Sequence, residues 1–286
     1  LTPSFFAGAD RALASLAGEL GVPAVAPVTL RAEESSPVNR HVFYLWSGIE
    51  GQARALARFA ARGDPVRVAV VAPTDGRLDD TAAAIAAELG PEVEIDRIQL
   101  GGQLADESRN AAAALAADGA VDLFLLDTGP SGLAFLAAAE QADWRPRVLV
   151  PGSLAGRGLL QAAGDIEGPL LLAYPTLPDD RRGDAAQDLR RLSAQLSLPP
   201  GSETLVVPVF AGVRLLVEGL ERSGRELSRE RLIGALEGLY DHPTWLTPAL
   251  TYGPNRRVGA RGAYVVAIRG GDSPSAASRE WVPIGR

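Results

Sequence analysis

Residues 228–266 read SRERLIGALEGLYDHPTWLTPALTYGPNRRVGARGAYVV, and this stretch combines the two kinds of pattern that recur along the chain. Apolar residues at helical spacing over 228–239 predict a helix that begins at Ser228. Arg231 stands where a complete capping box would carry Glu or Gln. Prolines then mark a turn, and the apolar runs 246–251 and 263–268 predict two strands joined by a Gly- and Arg-rich turn.

The same change between strand-like and helical patterns runs through the rest of the chain. The apolar run VRVAVVA at 66–72 is typical of a strand that is buried on both faces of a parallel sheet. Further strands are predicted at 23–29, 42–46, 93–100, 121–126, 148–150 and 170–173, and helices at 12–20, 49–61, 79–89, 105–117, 131–142, 184–196 and 203–222. The strict alternation before residue 178 predicts βαβ units with right-handed crossovers, and therefore an α/β fold with parallel sheets.

The composition excludes several classes of function. The 286 residues carry a net charge of −7 and no basic run, which argues against a nucleic-acid partner. There is no cysteine and there are only two histidines, so thiol catalysis and disulfides are excluded and His chemistry has few candidates. The longest apolar runs fall short of the roughly 18 residues that a membrane span needs. Absence of cysteine fits an exported bacterial protein, although no signal peptide is visible.

Five segments form a collinear set: ALASLAGELGVPAVAPVTL (12–30), IEGQARALARFAA (49–61), VRVAVVAPTDGRLDDTAAAIAAEL (66–89), ETLVVPVFAGVRLLVEGLERSG (203–224) and the stretch 228–266. Together they resemble the type I periplasmic binding proteins, the two-lobed receptors of the Leu/Ile/Val-binding kind. The resemblance implies an α/β fold of two Rossmann-like lobes, each with a parallel sheet, joined by a three-segment hinge. It places lobe one at 1–63 and 178–243 and lobe two at 64–177 and 244–270. The Gly-, Ser- and Pro-rich residues 271–286 are expected to form a loosely held tail.

The resemblance also implies a gap in lobe one. The family has roughly two further βα units ahead of the passage that opens this chain, and only 24–29 and 42–46 remain as lobe-one strand candidates. Two parallel strands cannot bury a sizeable core. We therefore expect lobe one to be incomplete at its N-terminus, unless another segment of the chain completes the sheet. The chain is expected to cross between lobes near 62–65, 174–178 and 241–246.

Candidate ligand-binding residues follow from the same resemblance, which implies a site near strand carboxyl ends and helix N-termini. Amino-acid binders of the family have a Ser at a helix start, and this position falls on Ala7, followed by Gly8. Their small or hydroxyl residues after the next strand fall around Thr29. Their lobe-two aromatic residue falls on Arg77, and their ammonium-binding acid falls near Gly152.

The amino-acid signature is thus largely missing. A buried ammonium group without a counter-charge costs several kcal/mol, so the absence of an acid predicts a ligand other than a plain amino acid. Arg77 is a candidate to meet a ligand carboxylate, and the alternative is a solvated turn residue paired with Asp79 or Asp80.

Other candidates follow predicted strands. Tyr44 and Trp46 are placed to stack on an aromatic or aliphatic ligand, or else to pack at a strand end. Thr128 and Gly129 lie just past the strand at 121–126. They are candidates to bind a ligand there, and the alternative is that they form an ordinary turn. Ser153 and Tyr174 follow the next two strands in the same way. Ser153 lies in GSLAG, which does not match the nucleophile-elbow motif G-x-S-x-G.

The resemblance implies a non-enzymatic, extracytoplasmic solute-binding protein of an ABC importer. It would close its two lobes on a small molecule, here a carboxylate or an apolar or aromatic compound, and deliver it to a permease of the inner membrane. One alternative is a ligand-sensing or regulatory domain of the same fold that acts on a partner protein. Another is binding of branched-chain amino acids. An enzyme is disfavoured because no nucleophile–base pair or metal cluster is present, and no cofactor is expected.

Overall fold

A computed structural model of the chain describes residues 10–32, 37–76, 78–100, 105–164, 166–199, 202–268 and 279–284. The chain divides into two compact units. Unit 1 comprises Leu1–Gly48 and Pro175–Arg261, and unit 2 comprises Ile49–Tyr174 and Gly262–Arg286. The chain therefore passes between the units three times, and each unit is built from segments that are distant in the sequence.

The secondary structure alternates as the sequence predicts. The strands are β1 (Ala24–Val25), β2 (Val42–Trp46), β3 (Arg67–Pro73), β4 (Glu94–Leu100), β5 (Asp122–Leu125), β6 (Arg147–Pro151), β7 (Leu170–Tyr174), β8 (Val258–Ala260), β9 (Gly262–Ile268) and β10 (Arg279–Pro283). The helices are α1 (Asp10–Leu20), α2 (Ile49–Ala61), α3 (Asp79–Leu89), α4 (Ala105–Ala117), α5 (Pro130–Gln141), α6 (Arg157–Ala162), α7 (Gly183–Gln195), α8 (Glu203–Ser223) and α9 (Arg229–Glu237). Short 3-10 turns follow β6 at Gly152–Leu154 and β7 at Pro178–Asp180.

Unit 2 is built on a seven-stranded sheet in the order β10-β9-β7-β6-β5-β3-β4. The strands β7, β6, β5, β3 and β4 are parallel, and β9 and β10 complete the sheet in antiparallel pairing. Alternate residues of β3 contribute to two different apolar clusters, one with Val68 and Val70 and the other with Ala69 and Val71. Because successive side chains of a strand point to opposite faces, both faces of the sheet are covered. Helices α2 and α3 cover one face, and α4, α5 and α6 cover the other.

Unit 1 contains a parallel sheet in the order β1-β2-β8. Its pairing joins distant parts of the sequence, because Tyr44 of β2 lies opposite Val258 of β8. Helix α9 packs closely on α8, where a side chain at Gly219 would meet Leu232 and Leu236 at 2.9 Å. The short strand β8 therefore supplies the additional segment that extends the lobe-one sheet beyond the two predicted strands.

The residue that directly precedes β8 is a buried arginine. Arg257 is 3% exposed, and its guanidinium lies 4.6 Å from the centre of the Phe43 ring. It donates hydrogen bonds of 2.5 Å to the Glu237 carboxylate and to the Gly253 carbonyl. The carboxylate and the aromatic face both compensate the buried cation, although within the described residues the Arg257 Nε has no hydrogen-bond partner.

Three predicted elements differ from the structure. The strand predicted at 23–29 is limited to Ala24–Val25, because Ala26 adopts φ 50° and a proline follows it. The strand predicted at 246–251 is reduced to one isolated bridge between His242 and Leu250, because the Thr244 hydroxyl accepts backbone hydrogen bonds and folds this region into turns.

The predicted tail also contains a strand. Within the part of 271–286 that the structure describes, β10 pairs with β9 and buries Val282 and Ile284 in the core of unit 2. The expectation of a loosely held tail is therefore wrong for residues 279–284, since apolar residues at the sheet edge anchor them.

The boundaries between the units also differ from the predicted ones. Helix α2 was assigned to lobe one, but Leu56 and Ala57 are buried in the same cluster as Val68 of unit 2. The first crossing therefore lies at Gly48–Ile49 and not near 62–65. The second crossing, Tyr174–Pro175, lies at the predicted residues, whereas the third follows Arg261 and not 241–246.

Candidate functional site

The carboxyl ends of β3, β5, β6 and β7 meet at one edge of the unit 2 sheet, because these four strands are parallel and adjacent. We call this edge, with the loops that follow the strands, the carboxyl edge of unit 2. In open parallel sheets, ligands bind at this edge. Four of the predicted residues lie here: Thr128, Gly129, Ser153 and Tyr174.

The loop after β5 is fixed by side-chain hydrogen bonds. The Asp127 carboxylate accepts a hydrogen bond of 2.8 Å from the Gly129 backbone N–H. The Thr128 hydroxyl donates to the Leu154 carbonyl at 2.5 Å and so ties this loop to the loop after β6. Thr128 and Gly129 therefore have the turn roles that the sequence left open as the alternative, while the Thr128 oxygen can still accept a hydrogen bond from a ligand.

Ser153 in the loop after β6 is exposed, but a buried residue holds it at two points. The Gln52 side-chain nitrogen donates to the Ser153 hydroxyl at 2.7 Å, and the Ser153 backbone N–H donates to the Gln52 side-chain oxygen at 3.0 Å. Gln52 lies on α2 and is only 2% exposed. Gln52 could not be identified from the sequence, because the two residues are 101 positions apart and no local spacing links them.

Tyr174 packs against Gly152 at the same edge. A side chain at Gly152 would begin only 2.5 Å from two atoms of the Tyr174 ring and 2.6 Å from the Ala173 carbonyl. Tyr174 is half-buried, and this burial raises the pKa of its hydroxyl. The aromatic ring and the glycine therefore fit each other, and the carboxyl edge has an apolar wall at this point.

Three predicted residues lie in unit 1. Thr29 donates from its hydroxyl to the Arg31 carbonyl and accepts from the Arg31 N–H, both at 2.9 Å. Trp46, half-buried, ends β2. Tyr44 is 4% exposed and packs in a core cluster with Val42 and Val258, among others. The packing alternative therefore describes the contacts of Tyr44, since its position inside the sheet leaves its ring enclosed.

The remaining predicted residues, Ala7, Gly8 and Arg77, lie outside the residues that the structure describes. Within the described ranges, no group of three or more His, Asp or Glu side chains is arranged to hold a metal ion. The same part of the chain contains no helix that is both long and apolar enough to cross a membrane.

The structure is that of an α/β protein with a candidate site at the carboxyl edge of unit 2, and comparison with known proteins identifies its family. The family profile described as "Periplasmic binding protein" matches residues 1–272. The chain therefore belongs to the type I periplasmic binding protein family, as the resemblance of its segments implies. No curated protein matches the sequence.

Solved structures have the same fold at low sequence identity. A branched-chain amino acid ABC transporter protein from Thermus thermophilus with bound valine is 19% identical with a TM-score of 0.73, over 99% of this chain and 77% of that one. A putative branched-chain amino acid ABC transporter protein from Rhodospirillum rubrum is 17% identical with a TM-score of 0.71, over 94% and 75%. An R. palustris solute-binding protein in complex with benzoate is 17% identical with a TM-score of 0.64, over 98% and 78%. The two-lobed α/β fold class is thus confirmed.

Proposed function

We propose that this chain is the extracytoplasmic solute-binding protein of an ABC importer, which captures a small molecule and delivers it to a permease of the inner membrane. Membership of the periplasmic binding protein family supports this proposal. The observation that carries it is the carboxyl edge of unit 2, where Thr128 and Ser153 follow β5 and β6, and Tyr174 ends the adjacent parallel strand β7. The predicted closing of two lobes on the ligand is part of the same proposal.

The ligand that we propose is a carboxylate with an apolar or aromatic body. Gly152 supplies no charge where an acid would bind an α-ammonium group, and the Tyr174 ring fills the space that a longer side chain would need. Such a wall stabilises an apolar group by burial and by contact with an aromatic face. Among the structural neighbours, the R. palustris protein is in complex with benzoate, which is a carboxylate of this class.

A second candidate is an amino acid, and one observation favours it. Asp127 supplies a carboxylate at the same edge, next to Thr128 and Gly129. An ammonium group needs such a counter-charge when it leaves water. Substitution Asp127→Asn would abolish amino-acid binding if this candidate were correct, and would leave the binding of a simple carboxylate intact or improved.

A thermal-shift screen tests the ligand class. We expect benzoate and related organic acids to raise the melting temperature, whereas leucine, isoleucine and valine leave it unchanged. A ligand present at 100 times its Kd adds about 2.7 kcal/mol to the free energy of unfolding, which is easily detected as a shift. Sodium chloride at equal ionic strength is the control.

Two outcomes would contradict this proposal in different ways. Stabilisation by the three branched-chain amino acids alone would exclude the carboxylate ligand but keep the solute-binding function. Genes for a signalling protein next to this gene, with no permease or ATPase gene, would favour the sensor alternative over an importer.

A further inference from the structure

The contact between Gln52 and Ser153 fixes the direction of two hydrogen bonds. The Ser153 backbone N–H can only donate, so the atom that faces it at 3.0 Å must be the side-chain oxygen of Gln52. The side-chain nitrogen of Gln52 is then the atom that faces the Ser153 hydroxyl at 2.7 Å, and it can only donate. The orientation of the amide, which is often ambiguous, is therefore determined by the backbone.

It follows that the Ser153 hydroxyl accepts from Gln52 and keeps its own hydrogen for another acceptor. Within the described residues, the hydroxyl hydrogen has no acceptor, and Ser153 is exposed at the carboxyl edge of unit 2. Thr128 at the same edge is the opposite case, because its hydroxyl hydrogen is already donated to the Leu154 carbonyl. The carboxyl edge therefore presents a hydroxyl donor from Ser153 beside a Thr128 oxygen that can only accept.

We propose that Gln52 is a positioning residue that holds Ser153 as the hydrogen-bond donor of the ligand site, and that the ligand group facing Ser153 is a carboxylate or carbonyl oxygen. This inference rests on the proposed function, since it assumes that the ligand binds at the carboxyl edge of unit 2. Burial of Gln52 matters because an amide that is 2% exposed has few other partners and keeps one orientation. Loss of a hydrogen bond to a charged acceptor weakens binding by about 10- to 100-fold.

The test is the substitution Gln52→Glu, which keeps the size and shape of the side chain. One oxygen of the new carboxylate still accepts from the Ser153 N–H, but the other now accepts the hydroxyl hydrogen and removes the donor from the site. We expect the Kd of benzoate, measured by titration calorimetry at about pH 8, to rise about 10- to 100-fold. At about pH 5.5 the buried carboxyl, whose pKa burial raises, takes up a proton and donates again, so affinity should recover.

Matched variants separate positioning from a structural role. Ser153→Ala should lose the same affinity at both pH values, because no hydroxyl remains to be oriented. Gln195→Glu makes the same chemical change at an exposed position of α7 and should leave the Kd unchanged. The melting temperature of each variant is measured alongside, so that loss of folded protein is not mistaken for loss of affinity.

Three results would overturn the inference. The first is that Gln52→Glu binds benzoate as tightly as the parent at about pH 8, which contradicts the inference because a hydroxyl turned towards the new carboxylate cannot donate to the ligand. An equal loss at both pH values would assign Gln52 a structural role alone. A parent protein that binds no member of a panel of benzoate, phenylacetate, hexanoate, leucine and valine would contradict the assignment of a carboxylate as the group that faces Ser153. In that last case, binding of an uncharged amine or polyol would still support the solute-binding function, and binding of nothing would remove both.

Discussion

Replacement of Gly132 by alanine is expected to lower the free energy of unfolding by about 3 kcal/mol or more. Gly132 lies in the first turn of α5, directly after the loop that carries Asp127, Thr128 and Gly129. A Cβ atom at this position would lie 1.7 Å from the Asp127 carbonyl oxygen, which is backbone and cannot swing aside. The start of α5 must therefore move away from β5, and urea unfolding of the purified variant measures the cost.

The control for this prediction is Gly164→Ala in the same unit. A Cβ atom at Gly164 meets nothing within 4 Å, so the expected change is within about 0.5 kcal/mol. Equal stability of the two variants would show that the close approach of α5 to the Asp127 carbonyl is not rigid. A Gly132→Ala protein that folds but fails to bind ligand would indicate that the movement is confined to the carboxyl edge.

Substitution Arg147→Met is expected to cost about 3–5 kcal/mol, because it leaves a buried carboxylate without a partner. Arg147 of β6 and Asp122 of β5 are paired across the sheet, and two hydrogen bonds of 2.5 and 2.7 Å join them. The Asp122 side chain is 0% exposed, whereas Arg147 is 32% exposed. Removal of the arginine is therefore the more damaging change, since the charge left behind has no access to water.

The sign of the pH dependence distinguishes this mechanism from loss of packing. In Arg147→Met the buried Asp122 carboxylate is destabilising because its charge is unpaired, so the deficit relative to the parent should shrink at acidic pH, where that charge is removed. The double variant Asp122→Asn/Arg147→Met should recover part of the loss. Arg191→Met, which breaks the exposed pair with Asp188 on α7, is the control and should cost less than about 1 kcal/mol. A deficit that is constant from neutral to acidic pH would argue against an uncompensated charge.

The part of the fold that could be predicted is the part governed by local pattern. The apolar run at 66–72 gave β3 with both faces covered, because a fully buried parallel strand has a distinctive composition. The turn-rich passages were harder to predict. The backbone at Ala26 has a positive φ that no side-chain pattern indicates, and β8 is only three residues long within a turn-like sequence.

The candidate site was predictable to the same extent. Thr128, Ser153 and Tyr174 could be placed at one edge, because alternation of strands and helices fixes where the carboxyl ends of parallel strands lie. Tyr44 could not be assigned to a ligand or to the core from the sequence. Strand β2 is an apolar run, and no polar face shows which of its side chains point into the core. The role of Gln52 could not be predicted, because it depends on a tertiary contact with Ser153, which is 101 residues away in the sequence.

The late position of β8 and β9 in the sequence has a consequence for how the chain folds. Tyr44 of β2 pairs with β8 and also accepts a hydrogen bond from Tyr252, 208 residues further along the chain. Strand β7 of unit 2 likewise pairs with β9, which comes much later in the sequence. Until those segments are free to pair, β2 and β7 each expose an unpaired edge that can recruit another unfolded chain. Closure of such long loops is slow, so these edges stay exposed for longer in this chain than in a fold whose strand partners are close in sequence.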